Sequence, residues 1–212
     1  MIYELKTYDL KTRRLGEFEK LFEEALEKRK NYSALGAFWH TEIGLLNQVV
    51  QVWPYDNLEE CIRVGEAVNK EKVWPSRLTD CVMEAHCDIM TPLTISPPLT
   101  PCNVGPYFEM RTYTYVSGEL PTLIKNWENA IDIRLPFGPV TALWISTLGA
   151  LNKFVHIWPY RSLDSRMEIR HQAEATGLYP PNIRALKEGG RNYELHRQEN
   201  KILMPANFSP IQ

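Results

Sequence analysis

Trp39-His40-Thr41-Glu42-Ile43-Gly44-Leu45-Leu46-Asn47 returns 105 residues later as Trp144-Ile145-Ser146-Thr147-Leu148-Gly149-Ala150-Leu151-Asn152. Working outward, the same offset relates Trp53-Pro54-Tyr55 to Trp158-Pro159-Tyr160, and Tyr3-Glu4-Leu5-Lys6-Thr7-Tyr8 to Phe108-Glu109-Met110-Arg111-Thr112-Tyr113. Trp74-Pro75 has its counterpart in Tyr179-Pro180. One ungapped offset across four separate patches marks an internal duplication, and a repeat constrains architecture before any single element does. Farther on, Pro92, Ser96 and Pro97 correspond to Pro205, Ser209 and Pro210 at an offset of 113, so the second copy carries eight additional residues near 187–195.

Each copy predicts the order β-α-β-β-α-β. Alternation over 2–8 and 107–115 predicts a first strand. Leu15, Phe18, Phe22, Ala25 and Leu26 are spaced for one helix face, as are Leu120, Leu123, Trp127, Ala130 and Ile131, so helices are expected over 14–30 and 118–134. Arg29 and Arg134 fall in their last turns, where a cation suits the helix dipole. Strands over 36–43 and 48–53 (140–148 and 153–158) enclose the Gly-to-Asn turns, residues that tolerate positive φ. Pro54 and Pro159 are expected to end the return strands. Second helices begin near Asn57 and Ser162, both good N-caps, and last strands cover 81–90 and 193–204. A ferredoxin-like sheet carries helices on one face and leaves the other bare. The expected fold is therefore α+β: two ferredoxin-like repeats, 1–92 and 107–212, packed sheet to sheet as an internal pseudo-dimeric α/β barrel. The proline-rich segment 93–106 is the crossover. Whether the barrel is filled or hollow stays open.

With 44% hydrophobic and 24% charged residues, the chain reads as globular. A net charge of −2, with Lys and Arg scattered, argues against a nucleic-acid partner. No apolar run reaches the roughly 18–20 residues a bilayer span needs. The first residues enter a strand pattern directly, without the features of a targeting segment, so a cytoplasmic location is expected. Cys61, Cys81, Cys87 and Cys102 form no CxxC pair, and a strand would turn His86 away from Cys81 and Cys87. No phosphate loop, nucleophile elbow or HExxH motif is present. We expect neither metal nor cofactor.

The repeated Tyr3–Tyr8 and Phe108–Tyr113 strands, Phe38 to Asn47, Val49 to Tyr55 and Leu151 to Leu163 resemble the NIPSNAP family over nearly the whole chain. The resemblance implies the dimeric α/β-barrel superfamily, similar in fold to small monooxygenases, haem-degrading enzymes and muconolactone-type isomerases. It also implies further association into a homo-oligomer. It brings no catalytic residues to carry over, and fold alone does not confer function.

The candidate ligand-binding residues are Glu4, Lys6, Tyr8 and their counterparts Glu109, Arg111, Tyr113, together with His40 and His156. Glu4, Lys6 and Tyr8 share one strand face, and a covered sheet keeps such a row only where its groups are satisfied. One reading is a buried ion pair with a tyrosine lid that fixes how the two sheets meet. A second is a row that receives an anion or carbonyl, with Tyr8 or Tyr113 as proton donor, and a third is a set of solvent-exposed edge residues. His40 and Glu42 share a face in the first copy only. His156 replaces Gln51, beside Trp158. Three functions stay open: a self-associating small-molecule-binding or structural protein, a cofactor-independent monooxygenase or isomerase acting on a small aromatic or carbonyl compound, and a protein-interaction scaffold.

Overall fold

In the computed structural model, which describes residues 1–212, the two sheets close into one eight-stranded antiparallel barrel. The first repeat comprises β1 (Ile2–Leu10), α1 (Leu15–Arg29), β2 (Ala37–Ile43), β3 (Gln48–Tyr55), α2 (Leu58–Lys70), α3 (Ser76–Asp80) and β4 (Val82–Pro92). The second comprises β5 (Tyr107–Tyr115), α4 (Leu120–Glu128), α5 (Ile131–Arg134), β6 (Ala142–Leu148), β7 (Lys153–Tyr160), α6 (Leu163–Ala175), α7 (Pro181–Lys187) and β8 (Leu195–Pro205). The strand order is β1-β3-β2-β8-β5-β7-β6-β4. Each repeat thus supplies four strands, and the two sheets join where β2 meets β8 (Thr41 opposite Leu203) and β4 meets β6 (Thr91 opposite Ile145).

Alternation along β1 and β5 decides what lies inside. Tyr3, Leu5, Phe108 and Met110 point into the barrel, where they meet Trp39, Trp144 and Leu203. Tyr3 stacks on Trp144 at 4.5 Å between ring centroids, and Trp39 lies 5.4 Å from Phe108. Both interior tryptophans are fully buried, so the interior is packed rather than hollow. Two further cores lie outside the barrel wall, one beneath each repeat's helices.

The hairpin turns behave as their residues require. Gly44 and Gly149 sit at φ of +126° and +101°, and Asn47 and Asn152 at φ of 57° and 56°. A Cβ on Gly44 would stand 2.9 Å from the Lys201 Cβ, and one on Gly149 would collide with the Asp88 carboxylate. Each turn therefore needs glycine twice over, for its φ and for the close approach of the other repeat's last strand.

The segments after β4 and β8 are exchanged between the repeats. The Leu93 amide donates to the Leu143 carbonyl (2.9 Å), and the Leu143 amide donates to the Ser96 hydroxyl (3.1 Å). At the pseudo-equivalent place the Ala206 amide donates to the Phe38 carbonyl (3.2 Å), and the Phe38 amide donates to the Ser209 hydroxyl (3.0 Å). Segment 93–106 is thus sewn onto the second repeat. It also pairs with the C-terminal tail, where Cys102 and Ile211 form a parallel bridge.

Three expectations need correction. The row Glu4, Lys6, Tyr8 and its counterpart face the helices, not the opposing sheet, so they do not fix how the sheets meet. The return strands run through Pro54 and Pro159 to Tyr55 and Tyr160. β2 begins at Ala37 opposite Val52, which leaves one edge of β3 vacant beyond that point and able to tolerate a missing N–H. The helix expected over 118–134 breaks between Glu128 and Ile131. There Asn129, a poor helix former, stands where the first repeat has Glu24.

Candidate functional site

Each repeat holds a cleft between the outer face of its sheet and its helices, and both are built on one pseudo-symmetric frame. In the first, the Arg29 guanidinium lies 4.0 Å over the Trp53 ring and donates to the Tyr55 hydroxyl at 2.9 Å. Tyr55 in turn donates to Glu4 (3.5 Å), which holds Lys6 at 2.9 Å. In the second, Arg134 lies 4.3 Å over Trp158 and donates to Tyr160 (3.3 Å). Tyr160 donates to Glu109 (3.3 Å), which holds Arg111 at 3.0 Å. Arg29 and Arg134, expected as dipole partners in the last helical turn, are buried within this frame. A guanidinium stacked on an aromatic face can be buried at acceptable cost.

On the common frame the two clefts diverge. The first encloses about 190 Å³, the second about 590 Å³. Trp74 accounts for the smaller volume: its ring stacks on Phe22 at 4.8 Å and meets Trp53 edge-on at 6.3 Å. In the second repeat Tyr179 takes the place of Trp74, and Trp127 that of Phe22. The eight-residue insertion supplies one wall through Asn192 and Tyr193.

The second cleft is also more basic. Arg166 and Arg170 stand on α6 where α2 has Cys61 and Gly65. Arg166 forms a second ion pair with Glu109, whose side chain is 1% exposed. Burial alone would raise the Glu109 carboxyl. Hydrogen bonds from Arg166 and Arg111 overcome it and hold the group below the ordinary carboxylate range. Glu109 is therefore committed to its partners. Arg111 also donates to the Tyr113 hydroxyl at 2.7 Å, which leaves that hydroxyl's proton for another acceptor.

His156 decides the chemistry of the cleft. The Trp158 indole N–H, which can only donate, lies 2.7 Å from His156 Nδ1. Nδ1 must therefore accept, and the ring's proton resides on Nε2. Burial, with Arg111, Arg170 and Arg134 adding to it, keeps the ring's pKa well below that of an ordinary histidine, so the ring is neutral. His156 Nε2 is buried and has no partner, and neither does the indole nitrogen of Trp127, whose ring centroid lies 5.0 Å from the His156 ring. The first repeat offers nothing comparable: Gln51 accepts from Trp53 at 3.3 Å, and Phe22 has no donor. In this tautomer His156 has no lone pair left for a metal ion or for a substrate proton. It is a hydrogen-bond donor.

The candidates are thus distributed unevenly. Arg111, Tyr113 and His156 line the second cleft, and Glu4, Lys6 and Tyr8 the first. His40 belongs to neither. Its Nδ1 lies 2.8 Å from Glu19 on α1, a pair replaced by Ile145 and Ile124 in the second repeat. Sequence reasoning missed Trp127 as a donor, Arg166, Arg170 and Tyr179. The available signals were two arginines gained at offset positions and the insertion itself. Elsewhere, Asp9, Glu84 and His86 bring three ligand atoms within 4.8 Å of one another near exposed β4, an arrangement common on surfaces without an ion.

The NIPSNAP family model matches this chain twice, over residues 3–97 and 108–210, one match to each repeat of the barrel. The chain belongs to the NIPSNAP family. Human NipSnap homolog 3A is 26% identical over 218 residues, covering all of this chain and 86% of its own length. Mouse NipSnap homolog 3B is 28% identical over 218 residues, covering 99% of this chain and 85% of its own. The Dictyostelium discoideum NipSnap homolog is 27% identical over 211 residues, with 98% and 88% covered. None of these names states a reaction. A Fusobacterium nucleatum crystal structure, described as that of a candidate monooxygenase, superposes on 96% of this NIPSNAP chain and 91% of its own with a TM-score of 0.62. Its identity is 10%, so the likeness is one of fold. No helix of this NIPSNAP protein is long and apolar enough to cross a membrane.

Proposed function

We propose that this NIPSNAP protein is a small-molecule-binding barrel with one ligand site, the helix–sheet cleft of the second repeat. One observation carries the reading: a buried, neutral His156 with an unpartnered Nε2–H is among the residues lining a cleft of about 590 Å³, while Trp74 narrows the equivalent cleft to about 190 Å³. A buried donor without a partner costs about 1–3 kcal/mol, and a ligand acceptor would recover that cost. The volume falls within the range of small-molecule sites. The donor-only state of His156 and the double ion pair on Glu109 favour binding over catalysis, since neither group is poised to take a substrate's proton.

The test is a fragment screen read by the ¹⁵N-indole resonances of the full chain. Ligands should shift the Trp127 and Trp158 signals and leave Trp53 in place. A screen in which Trp53 responds, or no indole does, sinks the reading.

Self-association with a second copy extends the proposal. β4 and β8 each leave one edge unpaired, before Ile89 and Ile202. Exposed Leu45 and Leu46 lie on the hairpin beside β8, with Leu151 beside β4. Edge pairing between copies would cover both features. Light scattering should report a mass above one chain, falling to one chain in Leu45→Lys/Leu46→Lys. The four unpaired cysteines suit a reducing compartment such as the cytoplasm.

A further inference from the structure

We infer that the ligand of the second-repeat cleft is an aromatic carboxylate, its carboxyl group received by His156, Trp127 and the Arg111–Arg170 pair. The inference rests on the small-molecule-binding reading above and deepens it.

The first argument is the sign of the hydrogen bonds. His156 Nε2–H and Trp127 Nε1–H are both donors, both buried, and both without a partner. An indole N–H cannot accept, and the histidine tautomer is fixed by Trp158. The free hydroxyl proton of Tyr113 adds a third donor at the same wall. A ligand group that satisfies this wall must offer acceptors only, and a carboxylate does so with two oxygens.

The second argument is charge. Arg111 and Arg170 line the cleft, and Arg134 and Arg166 stand behind it. The carboxylates that answer them are Glu109, shared by Arg111 and Arg166, and Glu174 on the exposed face of α6, 3.3 Å from Arg170. Glu194 lies on the exposed inserted loop at the rim. The buried wall is left with a cationic excess. The first repeat has a smaller excess, Lys6 and Arg29 against Glu4, because Cys61 and Gly65 occupy the positions of Arg166 and Arg170.

The third argument is size and surface. A cleft of about 590 Å³ is far larger than a lone inorganic anion needs, and Trp127, Tyr179, Tyr193, Pro180 and Pro181 supply flat apolar wall for a ring. A dianion such as a phosphate monoester would gain less here: the two neutral donors sit in an aromatic box, and desolvating a second charge works against binding.

Isothermal titration of the full chain with 1-naphthoate, 1-naphthamide and 1-naphthyl phosphate holds the ring constant while the head group changes. The naphthoate should bind at least about tenfold more tightly than the amide, the loss expected when a charge-assisted hydrogen bond goes. Arg170→Gln should cost the naphthoate about tenfold and the amide several-fold less, a difference that a merely structural arginine would not produce. Thermal unfolding checks that this variant is folded, and Gly65→Arg in the narrow cleft should change nothing. Equal binding of acid and amide, or tighter binding of the phosphate, overturns the carboxylate assignment and leaves the small-molecule reading standing. The carboxylate assignment also falls, alone, if the naphthyl series fails while neutral fragments still shift the Trp127 and Trp158 indoles. If no compound of any class shifts those indoles, both readings fall together.

Discussion

The two helix–sheet clefts share a frame of arginine, tryptophan, tyrosine and glutamate, yet one is narrow, at about 190 Å³, and the other wide, at about 590 Å³. In the first repeat, Trp74 stacks on Phe22, and Gln51 accepts the Trp53 indole N–H. In the second, the pseudo-equivalent positions hold Tyr179, Trp127 and His156, two arginines are added, and three donors, His156 Nε2, Trp127 Nε1 and Arg166 Nε, are left over. The difference shows how far two copies of one module diverge on a common frame. The first copy fills more of its cleft with ring packing, and the second carries unpaired buried groups. The cost of such groups falls on stability, which gives the comparison measurable edges.

The largest contrast should come from the paired carboxylates. Glu109→Gln leaves Arg111 and Arg166 buried without an anion, and should destabilise the barrel by about 3–5 kcal/mol in urea unfolding. Glu4→Gln faces a single, part-exposed Lys6 and should cost about 1 kcal/mol. Equal losses would mean that the added arginine brings nothing to the second cleft.

Acid should separate the clefts next. The folded pKa of His156 is depressed, so the unfolded chain binds a proton first as pH falls below the ordinary histidine value of about 6.5. The stability present above that pH is then lost on acidification, by at most about 1.4 kcal/mol per pH unit from this group. His156→Gln, which copies Gln51, should flatten the fall in melting temperature between about pH 6.5 and 4.5. A variant whose pH profile overlays the parent's would show that His156 is not held neutral by the fold.

The smallest effect tests the part that stayed symmetric. Ser96→Ala and Ser209→Ala each remove the hydroxyl that ties an exchanged tail to the facing strand, and each should cost about 1 kcal/mol. The two losses should agree within a few tenths, and a clear inequality would show that the tails support the repeats unequally.

Much of the fold was legible because the duplication wrote each element twice. The shared offset located the strands, the Gly-to-Asn turns and the helix stripes, and the bare sheet faces implied the barrel. Less of the site was legible. Glu109, Arg111, Tyr113 and His156 were picked out by residue type, but equally with Glu4, Lys6, Tyr8 and His40, which lie in the narrow cleft or outside both. Trp127 read as core mass because a tryptophan on an apolar stripe gives no hint that its N–H is unpaired.

By itself, the sequence determined that the chain is two copies of one module, where the strands and the main helices lie, and that each strand has two chemically different faces. Tertiary structure alone decided which face turned inward. Alternation of period two distinguishes the faces but cannot label them, since in this barrel one is covered by the other sheet and the other by helices. It likewise decided which cleft stayed wide. That outcome depends on whether one ring, Trp74 or Tyr179, lies across its neighbours, a packing result that offsets along the chain do not encode.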